Sequence, residues 1–250
     1  MEQPIMGRTG ELGTLNRLFK RTACGDSQVV LVVGPAGIGK TALTRHGLAG
    51  WQARAVSASG DPDETRLSGG LLDQLAQEAD VPEAKELMAL LDPGGADPLS
   101  AGSALLGMFH ALAASEPLVV LVDDVQWGDQ LSLRALSFAG RRLRHDPVLC
   151  ILVTRGEDLN RLPPGLLRLV GDRGTRLDLG PLNAADVAAL AEQAGLGRLP
   201  HRAAEQLREH AAGIPLHVKE LLHDLPIDVL RAPASVLPAP ASPRAVLNGG

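Results

Sequence analysis

Gly34-Pro35-Ala36-Gly37-Ile38-Gly39-Lys40-Thr41 stands between the short apolar run 28–33 and a stretch with helical spacing that begins at Lys40. The eight residues fit G-x-x-x-x-G-K-[ST], and a strand before and a helix after are the context that gives this pattern its meaning. Glycines let successive backbone N–H groups curl around a phosphate without Cβ clashes, and the following helix points its positive end at the anion. Lys40 is expected to reach the β- and γ-phosphates, and the Thr41 hydroxyl to ligate Mg²⁺. With Ala42 opening the helix, residues 34–42 form a candidate site for ATP/ADP with Mg²⁺.

A loop of this kind calls for a second element, an apolar strand ending in an acid. Leu118-Val119-Val120-Leu121-Val122-Asp123-Asp124 supplies it. Asp123 is the candidate Mg²⁺ partner. Asp124 admits two readings: a carboxylate that orients the attacking water, or a strand terminator that caps the next turn. Asp is one methylene shorter than the Glu often used for that task, so hydrolysis is expected to be slow. At the end of the next strand, Thr154-Arg155 is placed to sense a γ-phosphate, because neighbouring strand ends of a parallel sheet converge on one crevice.

Outward from these motifs, strands and helices alternate. Strands are expected at 28–33, 53–59, 118–122, 148–154 and 176–179, and helices at 40–50, 67–79, 83–91, 100–114 and 129–144, the last capped by Asp129. Asp92-Pro93-Gly94-Gly95 reads as a breaker. Alternation implies a parallel α/β sheet, here a three-layer P-loop domain of the additional-strand type over residues 1–181. From Asn183 the texture turns to Ala- and Leu-rich helices, near 184–194, 202–211 and 216–225, read as a small helical lid over 182–225. Residues 226–250 are dense in Pro and Ala, the composition of an extended tail. Gly213-Ile214-Pro215 reads locally as a helix C-cap followed by a helix-starting proline.

Composition narrows the function classes. A chain of 250 residues that is 45% apolar can bury a full core. The net charge of −5 lacks the basic excess that binding to a phosphate backbone demands, so direct nucleic-acid contact is not expected. Residues 1–10 lack the apolar core of a secretory leader and no run is long enough to span a bilayer, which points to the cytoplasm and away from membranes. Cys24 and Cys150 are the two cysteines, far apart in sequence and read as free thiols. The seven histidines show no metal-ligand spacing.

Four stretches together resemble the nucleotide-binding module of the STAND class of signalling ATPases, AAA-like modules found at the N-terminus of large ATP-binding LuxR-type transcriptional regulators. They are Gly7-Arg8-x-x-Glu11-Leu12, residues 34–41, Asp123-Asp124-Val125-Gln126-Trp127-x-Asp129-x-x-Ser132-Leu133, and Gly213-Ile214-Pro215-Leu216 followed by Glu220-Leu221-Leu222. The resemblance implies that Gly7 and Arg8 lie near adenine and ribose, that Pro215 packs on the adenine, and that Asp124 and Arg155 serve as the acid and the strand-end arginine. It also implies a switch in which ADP holds the module closed and exchange for ATP opens it, for self-association or for a regulatory protein partner. Members of that class continue into winged-helix, sensor and DNA-binding parts that are not recognisable here. Two alternatives remain at this point: a non-hydrolysing nucleotide-stabilised scaffold, and a DNA-associated ATPase of the origin-recognition kind.

Overall fold

The computed structural model describes residues 5–91 and 96–224. The breaker at 92–95 and the Pro/Ala-rich stretch 226–250 lie outside the described residues. By its contacts the chain forms two compact units: Gly10–Pro35 with Lys40–Leu179, and Met1–Thr9 with Ala36–Gly39 and Gly180–Gly250.

The larger unit is built on five strands: β1 (Gln28–Val33), β2 (Arg54–Ser59), β3 (Leu118–Asp123), β4 (Val148–Thr154) and β5 (Thr175–Asp178). They are ordered β2-β3-β4-β1-β5, and every pair is parallel. The strand β4 therefore stands between β1 and β3, which is the added strand expected from the sequence. Every residue of β1 and β4 is buried, which is why they read as unbroken apolar runs and not as alternating ones.

Helices α1 (Thr9–Ala23), α2 (Lys40–Ala49), α3 (Gly70–Gln77), α4 (Pro82–Leu91), α5 (Pro98–Leu112), α6 (Gln130–Arg142) and α7 (Pro164–Arg173) surround the sheet. One core joins Val29, Leu31, Val120, Val122, Cys150 and Leu152 to Leu72, Leu87, Leu105, Phe109, Leu133 and Leu166 of α3 to α7. The alternate strand residues Val30, Val32, Val119, Ile151 and Val153 are as deeply buried on the opposite face. There Leu15 of α1 and Leu43 of α2 are fully enclosed, and Phe19 stacks on Trp51 at 4.6 Å while the Trp51 indole donates to Asn16.

Two helices had no counterpart in the sequence reading. In α1 the apolar positions Leu12, Leu15 and Leu18 recur at three-residue spacing among polar neighbours, and in α7 Pro164 opens a turn before Leu166, Leu169 and Val170. Asp129 caps α6 as expected, its Oδ1 accepting from Ser132 N at 3.0 Å.

The smaller unit carries α8 (Ala184–Gln193), α9 (His201–His210) and α10 (Pro215–Asp224). Asn183 and Asp186 form a capping box at the start of α8. Val187, Leu190, Leu207, Val218 and Leu221 make its core, with Met6 packed against them. Among the described residues no helix is long and apolar enough to cross a membrane.

Candidate nucleotide site

In a parallel sheet all strands end at the same edge. Pairing of Val33 with Thr154, and of Val122 with Leu152, brings the ends of β1, β3 and β4 side by side. The chain leaving each end carries a candidate residue: Lys40 and Thr41 after β1, Asp123 and Asp124 at the end of β3, Arg155 after β4.

Lys40 opens α2 and is 8% exposed, its Nζ donating to the carbonyls of Gly34 at 2.8 Å and Pro35 at 2.9 Å. Burial pushes its ammonium below the usual lysine value, Asp124 opposes that shift, and the Arg155 guanidinium adds to it. The Thr41 hydroxyl donates to Asp123 Oδ2 at 2.7 Å. Ala42 is exposed in the first turn of α2.

Asp124 leaves the strand with φ 44 and ψ 43, in the left-handed region that Asp tolerates better than most residues. Gln126 Nε2 donates to its Oδ1 at 2.8 Å, and Arg155 Nε stands 3.9 Å from the same oxygen. Gly60, just after β2, donates its N–H to Asp123 O at 3.0 Å, and an added Cβ there would collide with the carbonyl oxygen of Asp124. Only a residue without a side chain permits that approach. The Arg161 guanidinium lies 4.3 Å over the Trp127 ring, tying the turn after β4 to the turn after β3. Gly60 and Arg161 were not singled out in the sequence, where neither belongs to a motif.

Within the smaller unit, Arg8 is 4% exposed and donates to Ile38 O at 3.1 Å and Gly180 O at 2.7 Å. Leu216 N–H donates to Gly37 O at 3.2 Å, so the first turn of α10, which Pro215 opens, holds residues 36–39 from one side. Gly7 lies against Asp186 and Leu182. Gly213, with φ 65, stands two residues beyond Ala211, the C-cap of α9, and accepts from Leu182 N at 2.8 Å; the cap thus falls before the glycine expected to provide it, whereas Pro215 opens α10 as expected.

Lys40, Thr41, Asp123, Asp124 and Arg155, all of the larger unit, have the chemistry that phosphates and a divalent cation take. Gly39 has φ 94, and a Cβ built on it meets nothing within 4 Å, so the loop has open space on that side. Among the described residues no group of three or more His, Cys, Asp or Glu could hold a metal ion. A cation held by Thr41, Asp123, water and phosphate oxygens needs no such group. Cys24 is exposed and Cys150 buried, both free, and burial pushes the Cys150 thiol up to about 12.

Residues 4–152 match the family described as AAA ATPase domain. An uncharacterized protein of Rhizobium meliloti (strain 1021) is 28% identical over 270 residues, covering 88% of this chain and 25% of that protein. The ORC2 protein of Aeropyrum pernix, solved in ADPNP–ADP complexes, shares the fold with a TM-score of 0.61 at 19% identity, over 89% of this chain and 64% of that one. Cdc6p of Pyrobaculum aerophilum does so at 0.63 and 15%, over 89% and 62%. The chain thus spans a quarter of the Rhizobium protein and under two thirds of each solved chain.

Proposed function

The chain belongs to the AAA ATPase domain family, and on that premise we propose that it is an Mg-ATP-binding, slowly hydrolysing nucleotide switch in a signalling or transcription-regulatory protein. One observation carries the reading: Lys40, Thr41, Asp123, Asp124 and Arg155, from three strand ends, stand within one network of hydrogen bonds and charges.

Residues 34–42 cradle the phosphates, and Lys40 exchanges its two carbonyl partners for phosphate oxygens. Thr41 and Asp123 would hold Mg²⁺, which would supply positive charge beside the phosphates. Asp124 accepts the proton of the attacking water, and Arg155 senses the γ-phosphate. Gly7, Arg8 and Pro215 serve the base and ribose, as the likeness to STAND modules implies. The ADPNP and ADP complexes of the Aeropyrum protein support an adenine nucleotide. Partners fit self-association or a regulatory protein better than DNA, given the net charge of −5.

Phosphate release is the test, with Lys40→Ala as the control. The parent should exceed the variant, and the protein should co-purify with ADP or ATP. Equal release would reduce the function to nucleotide binding, and ATP affinity unchanged by Lys40→Ala in calorimetry would remove the phosphate loop from it.

A further inference from the structure

Asp124 is held twice. Its backbone is fixed in the left-handed region by the approach of Gly60 and by Trp127 N–H, which donates to Asp124 O at 2.9 Å. Its side chain is fixed by Gln126 alone among uncharged groups, through the 2.8 Å bond from Nε2 to Oδ1. Among the described residues both contacts of the carboxylate fall on Oδ1, which leaves Oδ2 as the oxygen open to water.

Gln126 itself is 4% exposed, and its Oε1 is buried without a hydrogen-bond partner. The amide cannot be turned over, because that would set Oε1 against a carboxylate oxygen. A buried amide with an idle acceptor is a poor packing choice beside an apolar side chain of the same size. Its use lies at its donor end, which among the described residues reaches Asp124 alone. Being enclosed, Gln126 cannot itself orient a water molecule in the open site.

We propose that Gln126 is a positioning residue for ATP hydrolysis, locking the Asp124 carboxylate so that Oδ2 faces the attacking water. The inference rests on the hydrolysis reading above. A short Asp has little reach to spare, and a misplacement of about 1 Å in a reacting group can cost on the order of 100-fold in rate. The lock also explains why Asp124, partly exposed beside Arg155, is not simply drawn onto the guanidinium: the two groups remain 3.9 Å apart.

The experiment compares ATP turnover of the full chain with Gln126→Met, Asp124→Asn and the double variant, alongside ATP affinity by calorimetry and thermal midpoints. Gln126→Met should lower kcat at least about tenfold while KM, ATP affinity and midpoint stay near the parent's. In the Asp124→Asn background it should cost nothing more, since the lock then has no carboxylate to serve. Gln126→Leu, likewise without a donor and uncharged, provides the same comparison if the methionine variant does not fold. Parental kcat in Gln126→Met, with Asp124→Asn impaired, overturns the proposal and leaves the hydrolysis reading intact. So does a fall in kcat that multiplies with that of Asp124→Asn, or that comes with lost ATP affinity and midpoint, because Gln126 is then a packing residue. Parental turnover in Asp124→Asn makes Asp124 a structural cap, with the catalytic group elsewhere, and overturns this inference while hydrolysis itself stands.

Discussion

The Thr41 hydroxyl donates to Asp123 Oδ2 at 2.7 Å, joining two residues 82 positions apart in the chain. A hydroxyl and a carboxylate so paired are the oxygen ligands a hard divalent cation takes. Asp123→Ala is therefore expected to lose about tenfold, roughly 1.4 kcal/mol, of the affinity for ATP that depends on Mg²⁺, and little of the rest. Calorimetry with and without Mg²⁺ measures both, and an unchanged Mg²⁺ dependence would count against Asp123 as the metal partner.

Lys40 makes stability depend on pH in a direction that can be worked out. Burial holds its folded-state value below the ordinary 10.5. Between the two values the unfolded chain carries the proton and the folded chain does not, so stability rises with pH there. Below that window the cost of enclosing the ammonium is present in full. Relative to Lys40→Met, the parent should gain unfolding free energy from neutral to alkaline pH, as urea titrations of both would show; a flat or falling difference contradicts the assignment.

Gly60 keeps the β2 end clear of Asp124. Gly60→Ala would drive a Cβ into the Asp124 carbonyl and against Trp127, at a cost of about 1–3 kcal/mol. Because the displaced segment carries Asp124, turnover should fall as well. Both quantities left at parental values would mean that the turn yields freely.

Arg8 ties the carbonyls of Ile38 and Gly180 together from a buried position. Arg8→Met leaves both acceptors without that donor and is expected to lower stability by about 1–3 kcal/mol. Arg8→Lys should recover only part of it, since both bonds leave one terminal nitrogen, Nη2, and the lysine side chain is one bond shorter. Hydrogen exchange at residues 36–39 should quicken in both variants. Unaltered exchange there would confine Arg8 to other contacts.

Some of this protein is legible in one dimension. The run 28–33, the glycines of 34–39 and the Lys40-Thr41 pair state a strand, a loop and a helix within fourteen or so neighbouring positions, because strand burial, positive φ and helix initiation are local properties. The same holds for the strand that ends in Asp123-Asp124 and for the Asp129 cap. Helices α1 and α7 were less legible: their apolar positions are few and sit among charged and glycine residues, so the helical period is weak until a sheet is present to bury it.

What the chain states by itself is thus a candidate kind of site and the residue types proposed to serve it. Which residues meet was decided by tertiary structure. The order β2-β3-β4-β1-β5 sets Asp123 beside Thr41 and Arg155 beside Asp124, although nothing in the spacing of those residues states it. The left-handed turn at Asp124, the clearance at Gly60 and the enclosure of Gln126 likewise appear only once β2 and β3 pair. The physical reason is that a periodic pattern records which face of an element is apolar, whereas the partner of a polar side chain depends on how separate elements stack.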